Sequence, residues 1–288
     1  MPYAVAGVAF DGAVTNRPGA RFGPRAIRLA SHMLCDAKHP FFETSPIGEL
    51  CDAGDLALPN TSLEAMRAEL LPLATDLLRS HHVAWLGGDH SITLPLLRAL
   101  NAARGGPVAL VHFDAHCDTW TNHFGEPSGH GTWVYEALQE RLVIPQACVQ
   151  IGIRSSGDRS AREYVSDAGG RVFTARELRG LESPAQLAPV LAEIRERLAA
   201  AGNPAVYCSL DIDCLDPAFA PGTGTPEPGG MTTAQVLTFL EELAGLNWCG
   251  MDCVEVAPPY DHAELTANAA ATFVWTYLCG RVARAAAA

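Results

Sequence analysis

The sequence predicts an α/β fold, three layers deep (α/β/α), with a mainly parallel central sheet. Three observations predict it: six short runs are apolar at nearly every position, helical-period segments separate them, and polar motifs stand where the runs end. Runs of that kind are strands buried on both faces, as parallel strands are. With 288 residues and 48% hydrophobic side chains, the chain has material for one large core. Neither a Pro/Gly/Ser-rich linker nor an internal repeat divides it. Residues 1–288 are therefore read as one domain, with Ala285–Ala288 as a frayed tail.

In chain order, the predicted strands are Tyr3–Ala9, Val83–Leu86, Val108–Phe113, Val149–Ile153, Ala205–Ile212 and Cys249–Val256. The first helix is Ser62–Arg79, where Leu63, Met66, Leu70, Leu71, Ala74 and Leu78 recur at helical spacing. Ile92–Ala103, Ala185–Ala201 and Thr233–Leu243 follow with the same period. A last helix spans about Ala263–Arg284, with Asp261 and His262 as capping residues. Strands alternating with helices imply parallel pairing through crossovers. In such sheets ligands gather beyond the carboxyl ends of the strands, and each polar motif below stands at one.

The net charge of −12 argues against nucleic acid, which needs a basic face to neutralise phosphates. It is weakly favourable to a cationic small molecule. The nine cysteines are odd in number and scattered, without CxxC pairs or the spacing of a secreted disulfide framework. They point to a reducing compartment, the cytoplasm. The N-terminus reaches Asp11 without a basic leader. The longest apolar stretch, Leu265–Gly280, is interrupted by Thr266, Asn268 and Thr272 and falls short of the roughly 20 residues of a membrane span. No membrane partner is expected.

The run Val111-His-Phe-Asp-Ala-His-Cys-Asp118 closes a strand with acceptors at alternate positions, so Asp114, His116 and Asp118 share a face in extended chain. A polar strand end meeting solvent is the plain alternative. Asp211 and Asp213 again share a face at the end of another apolar strand, where two carboxylates in a low dielectric want a cation between them. Asp216, before Pro217, reads as a loop anchor. In Gly87-Gly-Asp-His-Ser91 the glycines suit a tight turn that aims His90 over the strand ends, with Asp89 in support. A lone His is more often a core or capping residue. Together, four carboxylates and two imidazoles from three strand ends are too rich for one ion and suit two. Oxygen-dominated donors favour Mn²⁺ over zinc, with Ni²⁺ or Co²⁺ as alternatives. Cys117 points to the opposite face and is left out.

These motifs resemble the ureohydrolases, the family of arginases, agmatinases and their relatives. The resemblance covers nearly the whole chain, from Arg17-Pro-Gly-Ala-Arg-Phe-Gly-Pro-Arg25 to the last helix. It is most specific in Gly87–Ser91, Phe113–Asp118, Ser209–Pro226 and Val254-Glu-Val-Ala-Pro-Pro-Tyr-Asp261. It implies an arginase-like fold with two Mn²⁺ per chain. His90 and Asp118 would bind one ion, His116 and Asp213 the other, and Asp114 and Asp211 would bridge. It gives His130 the role of proton shuttle and Glu255 that of guanidinium partner, making these two, with Asp118, the catalytic candidates. By themselves, His130 reads as a surface loop residue and Glu255 as the partner of an internal Arg or Lys. The resemblance also implies a homo-oligomer, trimer or hexamer. It implies a reaction in which a metal-bound hydroxide attacks a guanidinium, releasing urea and an amine.

The substrate tail is read from the stretch Trp120–His130 and the residues just after it. This stretch does not look like the arginase version, and Tyr135 stands where guanidino-acid hydrolases of the family often carry Arg. It looks more like the agmatinases, so agmatine is the first choice, with Trp133, Tyr135 and Glu255 as candidate substrate contacts. Guanidinobutyrase, guanidinopropionase and arginase activities are the alternatives. Of other classes, a histone-deacetylase-like enzyme would use a single zinc, and a non-catalytic partner subunit would have lost ligands.

Overall fold

The computed structural model describes residues 1–287. Eight parallel strands form one sheet: β1 (Tyr3–Val8), β2 (Leu50–Asp55), β3 (His82–Gly87), β4 (Val108–Phe113), β5 (Val143–Ile153), β6 (Arg171–Thr174), β7 (Val206–Asp211) and β8 (Trp248–Val254). Their spatial order is β2-β1-β3-β8-β7-β4-β5-β6. The chain thus leaves a gap between β3 and β4 that β8 and β7 later fill. A sheet wound this way opens a crevice at the carboxyl ends of the strands flanking the gap.

The six expected strands are the six interior ones. The two edge strands escape a reading based on apolar runs, because β2 (LCDAGD) is half-buried to exposed and β6 (RVFT) has one buried residue. β5 begins earlier than expected, at Val143, running through Pro145 and the exposed Gln146.

The helices are α1 (Gly23–Ala30), α2 (Leu63–Leu78), α3 (Thr93–Arg104), α4 (Trp133–Gln139), the single turns α5 (Arg159–Arg162), α6 (Tyr164–Asp167) and α7 (Ala175–Leu178), then α8 (Pro184–Ala200), α9 (Thr233–Glu242) and α10 (Leu265–Ala287). Alternate strand residues face opposite helical layers. Val111, Phe113, Cys208 and Leu210 pack with α1, α8, α9 and α10. Leu110, Tyr207, Trp85 and Val83 pack with α2, α3 and α4. Capping boxes start α8 (Ser183 with Gln186) and α9 (Thr232 with Gln235), each satisfying otherwise unpaired amides. Asp261 accepts the Thr266 and Ala267 amides at 2.9 and 3.0 Å and so opens α10. α10 is described through Ala287, and Ala288, the last residue of the expected tail, lies outside the described residues. Among the described residues, no helix is long and apolar enough to cross a membrane.

Strand register sets the height of the polar groups. Leu86, Cys253, Leu210 and Phe113 form one row across β3, β8, β7 and β4. Asp211 and Asp114 are the next residues of their strands, so they stand side by side just beyond that row. The row beneath is polar: Asp252, Ser209, His112 and Gln150 are register partners in β8, β7, β4 and β5.

Gly88 shows why a glycine follows β3. Its φ is not left-handed, so it is not needed for the turn conformation. A Cβ there would instead stand 1.8 Å from the Phe10 carbonyl oxygen. Its N–H donates to Val8 O at 2.9 Å, and its carbonyl accepts the Glu255 amide at 2.9 Å. Three strand ends converge where no side chain fits. Gly88→Ala is therefore expected to cost about 3 kcal/mol or more through overpacking and to lower the melting temperature by several degrees. A melting temperature unchanged from the parent would contradict this packing.

Candidate metal centre

The polar groups lie beyond the carboxyl ends of β3, β4, β7 and β8. β4 ends at Phe113, so Asp114, His116 and Asp118 do not continue an extended strand as expected. Asp118 adopts left-handed backbone, φ 52°, a conformation costly for a residue with a Cβ. The turn sends Asp118 towards His90 and His116 towards Asp213, with Asp114 between the two.

Two groups result. Ligand atoms of His90, Asp114 and Asp118, together with His112, lie within 4.8 Å of one another, as do those of Asp114, His116 and Asp213. Asp114 belongs to both. Its Oδ2 lies 3.2 Å from His90 Nδ1, and its Oδ1 lies 3.3 Å from His116 Nδ1. Asp211 Oδ2 is 3.1 Å and Asp118 Oδ2 3.2 Å from His90 Nδ1, while Asp213 Oδ2 is 3.0 Å from His116 Nδ1. All six residues named as ligands are thus brought together.

The donor set fits cations. His90 Nδ1 is buried and near three carboxylates, yet hydrogen-bonds to none, because it points between them. Four carboxylates are buried here with only imidazoles to offset them. Burial opposes a charge on His90, but Asp114, Asp118 and Asp211 outweigh it and hold the imidazole well above its usual range. Burial likewise opposes a charge on His116, and Asp213 and Asp114 hold that ring high. Burial, with Asp213 and Asp114, pushes Asp211 well above the usual carboxylate range. The site thus favours positive charge at both imidazoles, which is what a divalent ion would supply.

The polar row beneath orients the ligands, and apolar run-reading misses it. Ser209 gives its one proton to Asp252 Oδ1 at 2.7 Å, so its oxygen accepts from His90 Nε2 at 2.8 Å. That leaves His90 Nδ1 for the site. Tyr207 and Thr93 hydroxyls, each at 2.9 Å, donate to Asp252 Oδ2. Gln150 donates to His112 Nδ1 at 3.1 Å, so His112 Nε2 donates to Asp114 Oδ2 at 2.7 Å. His112 is therefore committed to supporting Asp114, not to ligation. The one available signal is position: His112 and Ser209 each precede a ligand by two residues.

Asp89 accepts the Ala13 amide at 2.8 Å and the Ser91 amide at 3.0 Å, holding the turn that carries His90. Asp216 accepts the Ala218 and Gly229 amides at 2.9 and 2.7 Å and anchors its loop. Cys117 packs against Ile153 and Ala161, away from the ligands.

Two of the residues expected to contact substrate, Trp133 and Tyr135, stand away from the cavity. Trp133 is fully buried beneath the site, with Nε1 donating to Asp118 Oδ2 at 2.7 Å and its ring 4.8 Å from that of His90. Tyr135, also on α4, packs on Tyr164 with ring centroids 5.2 Å apart. Neither lines the cavity, because α4 packs its inner face under the ligands. The cavity, about 350 Å³, is walled by Thr15, Trp120, Asn122, His123, Phe124 and His130 and floored by ligands including His90, His116, Asp118 and Asp211.

His130 is not a surface residue. Its Nδ1 lies 2.8 Å from Glu255 Oε1, which also accepts the His90 amide at 2.9 Å. Glu255, at φ 63°, has no Arg or Lys partner among the described residues. Its Oε2 is buried without a hydrogen bond. Burial alone would lower the His130 imidazole, but the Glu255 charge and hydrogen bond, helped by Asp89 and Asp118, push it up to about 9. That proton is held at neutral pH and lost as pH rises through about 9.

The arginase family model matches residues 1–280. The chain is 42% identical over 285 residues to an agmatinase of Chromobacterium violaceum, covering 96% of this chain and 82% of that one. Its fold is similar to the crystal structure of a hypothetical agmatinase from Burkholderia thailandensis, with TM-score 0.89, 38% identity, and coverage of 100% of this chain and 88% of that one. It is also similar to proclavaminate amidino hydrolase from Streptomyces clavuligerus, with TM-score 0.84, 36% identity, and coverage of 97% and 93%.

A site that needs cations is stabilised by them through mass action. Adding Mn²⁺ to chelator-stripped protein at 1,000 times its dissociation constant is expected to add about 4 kcal/mol of stability and raise the melting temperature by several degrees. No shift under saturating Mn²⁺ would contradict the site.

Proposed function

The chain belongs to the arginase family and is a ureohydrolase, and on that premise we propose that it hydrolyses agmatine to putrescine and urea. The observation that carries the choice of substrate is the cavity wall: no Arg or Lys lines it among the described residues. A guanidino acid or arginine brings a carboxylate that would want such a partner. Agmatine brings an aliphatic chain ending in an ammonium, which suits Trp120, Phe124 and the uncharged Asn122. His123, on the same wall, is pushed below its ordinary value by burial and by His130, so it adds no fixed positive charge.

His90 and Asp118 would hold one ion and His116 and Asp213 the other, with Asp114 and Asp211 bridging. Asp114 supports this reading best, since each of its oxygens faces one group. The oxygen-rich donors favour Mn²⁺, with Ni²⁺ and Co²⁺ as alternatives. Such ions supply a nucleophile at neutral pH by lowering the pKa of water from 15.7 towards about 7.

The rest falls to the chain's own side chains. Guanidinium stays charged at any cellular pH and must be fixed in place before attack. Glu255 Oε2, buried and unpartnered, is the acceptor for it. When the carbon–nitrogen bond to the aliphatic chain breaks, the leaving amine needs a proton, and His130 Nε2 on the cavity wall delivers it. Asp118, held by Trp133, keeps the floor of the site in register with both. The whole chain, residues 1–288, acts as one such domain. Nine unpaired cysteines suit a reducing compartment, the cytoplasm. The exposed Phe22, Leu29, Met33, Phe41 and Ile47 suit a homo-oligomer, trimer or hexamer.

The test of substrate is urea release from a panel of agmatine, arginine, 4-guanidinobutyrate, 3-guanidinopropionate and guanidine. Agmatine is expected to give the highest kcat/KM, and a guanidino acid leading the panel would refute the choice. Glu255→Gln is expected to lower kcat/KM at least about 100-fold while leaving the melting temperature near that of the parent. Normal turnover per folded molecule with a large loss of stability would make Glu255 a structural residue only.

A further inference from the structure

His130 can serve as a proton carrier only if its exchanging nitrogen is held in place both with and without the proton. Glu255 fixes one side of the ring, as Oε1 faces Nδ1 at 2.8 Å. The carboxylate only accepts, so Nδ1 carries its hydrogen in both charge states. The proton must therefore come and go at Nε2.

Among the described residues, Nε2 hydrogen-bonds to Thr15 alone, in two ways. The Thr15 backbone N–H donates to it at 3.2 Å, and the Thr15 hydroxyl lies 3.0 Å away. An amide can only donate, so it holds the ring when Nε2 offers a lone pair and opposes it when Nε2 carries a hydrogen. A hydroxyl can donate or accept by rotation. We propose that Thr15 is a positioning residue for His130, its amide holding Nε2 in the neutral ring and its hydroxyl accepting from Nε2–H in the charged ring. The proton arrives on or leaves the Nε2 lone pair, and the hydroxyl keeps its own hydrogen throughout.

Thr15 is placed for this by clamps on both sides. On one side, Ala13 donates its amide to Asp89 Oδ2 at 2.8 Å, and its carbonyl accepts the His130 amide at 3.3 Å. On the other, Asn16 Nδ2 donates to the Gly224 carbonyl at 2.9 Å, and Asp11 accepts the Gly19 amide at 2.7 Å. The loop thus carries Thr15 to the cavity wall on rigid supports, although the residue itself is exposed there. This gives work to the segment leading into Arg17–Arg25, for which the reaction otherwise has no use. The charged and titratable groups facing His130 are Glu255 after β8, Asp89 after β3, Asp118 after β4 and His123 in its own loop. Three of these favour the charged ring and none supplies an acceptor at Nε2.

The inference rests on the ureohydrolase reading, so its test has one arm that needs no turnover. The series is Thr15→Ser, Thr15→Val and Thr15→Ala, each with melting temperature and metal content measured. Serine keeps both hydrogen-bonding groups, valine keeps the shape without the hydroxyl, and alanine keeps neither. Thr15→Val and Thr15→Ala are expected to lose kcat equally, by about 10–100-fold, with KM and metal content little changed and the alkaline limb of kcat moved to lower pH. Thr15→Ser is expected to stay within a few-fold of the parent. In Mg²⁺-loaded protein, the His130 imidazole ¹⁵N signals, assigned with His130→Gln, should titrate about one pH unit lower in Thr15→Val, a tenfold loss of proton affinity. The idea is overturned if Thr15→Val matches the parent in kcat and titration, or if Thr15→Ser is as poor as Thr15→Val. If Thr15→Val does not fold, serine against alanine decides by the same criteria. A parent without urea release but with the expected titration shift would sink the ureohydrolase reading and leave the role of Thr15 standing.

Discussion

Asp114, Asp118, Asp211 and Asp213 are buried together at the carboxyl ends of β4 and β7, and their mutual repulsion is the constraint the surrounding structure answers. Charges in a low dielectric are tolerated only when paired and hydrogen-bonded. The sheet brings them together by register, with Asp114 level with Asp211. The groups at the centre are themselves held from behind, His90 through Ser209 to Asp252 and Asp114 through His112 to Gln150. This arrangement is stable only around positive charge. Two divalent ions would supply that charge.

His90 and His130 are linked through one atom. Glu255 Oε1 accepts both the His90 amide and the His130 ring hydrogen. The Glu255 amide in turn donates to Gly88, whose missing side chain lets β1, β3 and β8 meet. Three strand ends therefore set the distance between His90 and His130. Left-handed backbone at Asp118 and at Glu255 lies on either side of this junction, the kind of cost that persists where surrounding bonds over-determine the conformation.

The interior of the fold is legible in the sequence because its six inner strands are buried on both faces and read as apolar runs. The edge strands β2 and β6 are not, since one face of each meets solvent and their residues are correspondingly mixed. The clustering of His90, Asp114, His116, Asp118, Asp211 and Asp213 is legible because carboxylates and imidazoles ending apolar strands have few other reasons to be there. Trp133 is not, because nothing in its local sequence tells a cavity wall from a buried support under a ligand. Asp252 looks like a lone polar residue in an apolar strand until register brings Ser209, Tyr207 and Thr93 to it. Thr15 is beyond sequence reasoning from spacing alone, as its contact with His130 spans 115 positions. Long-range polar pairs of this kind depend on strand order, which only the fold supplies.

The groups on either side of Asp114, one facing each of its oxygens, would hold two ions. The direct measurement is elemental analysis of protein loaded with Mn²⁺ and freed of unbound ion by gel filtration. Two ions per chain are expected, and a chain that retains one ion, or none, contradicts a dinuclear site.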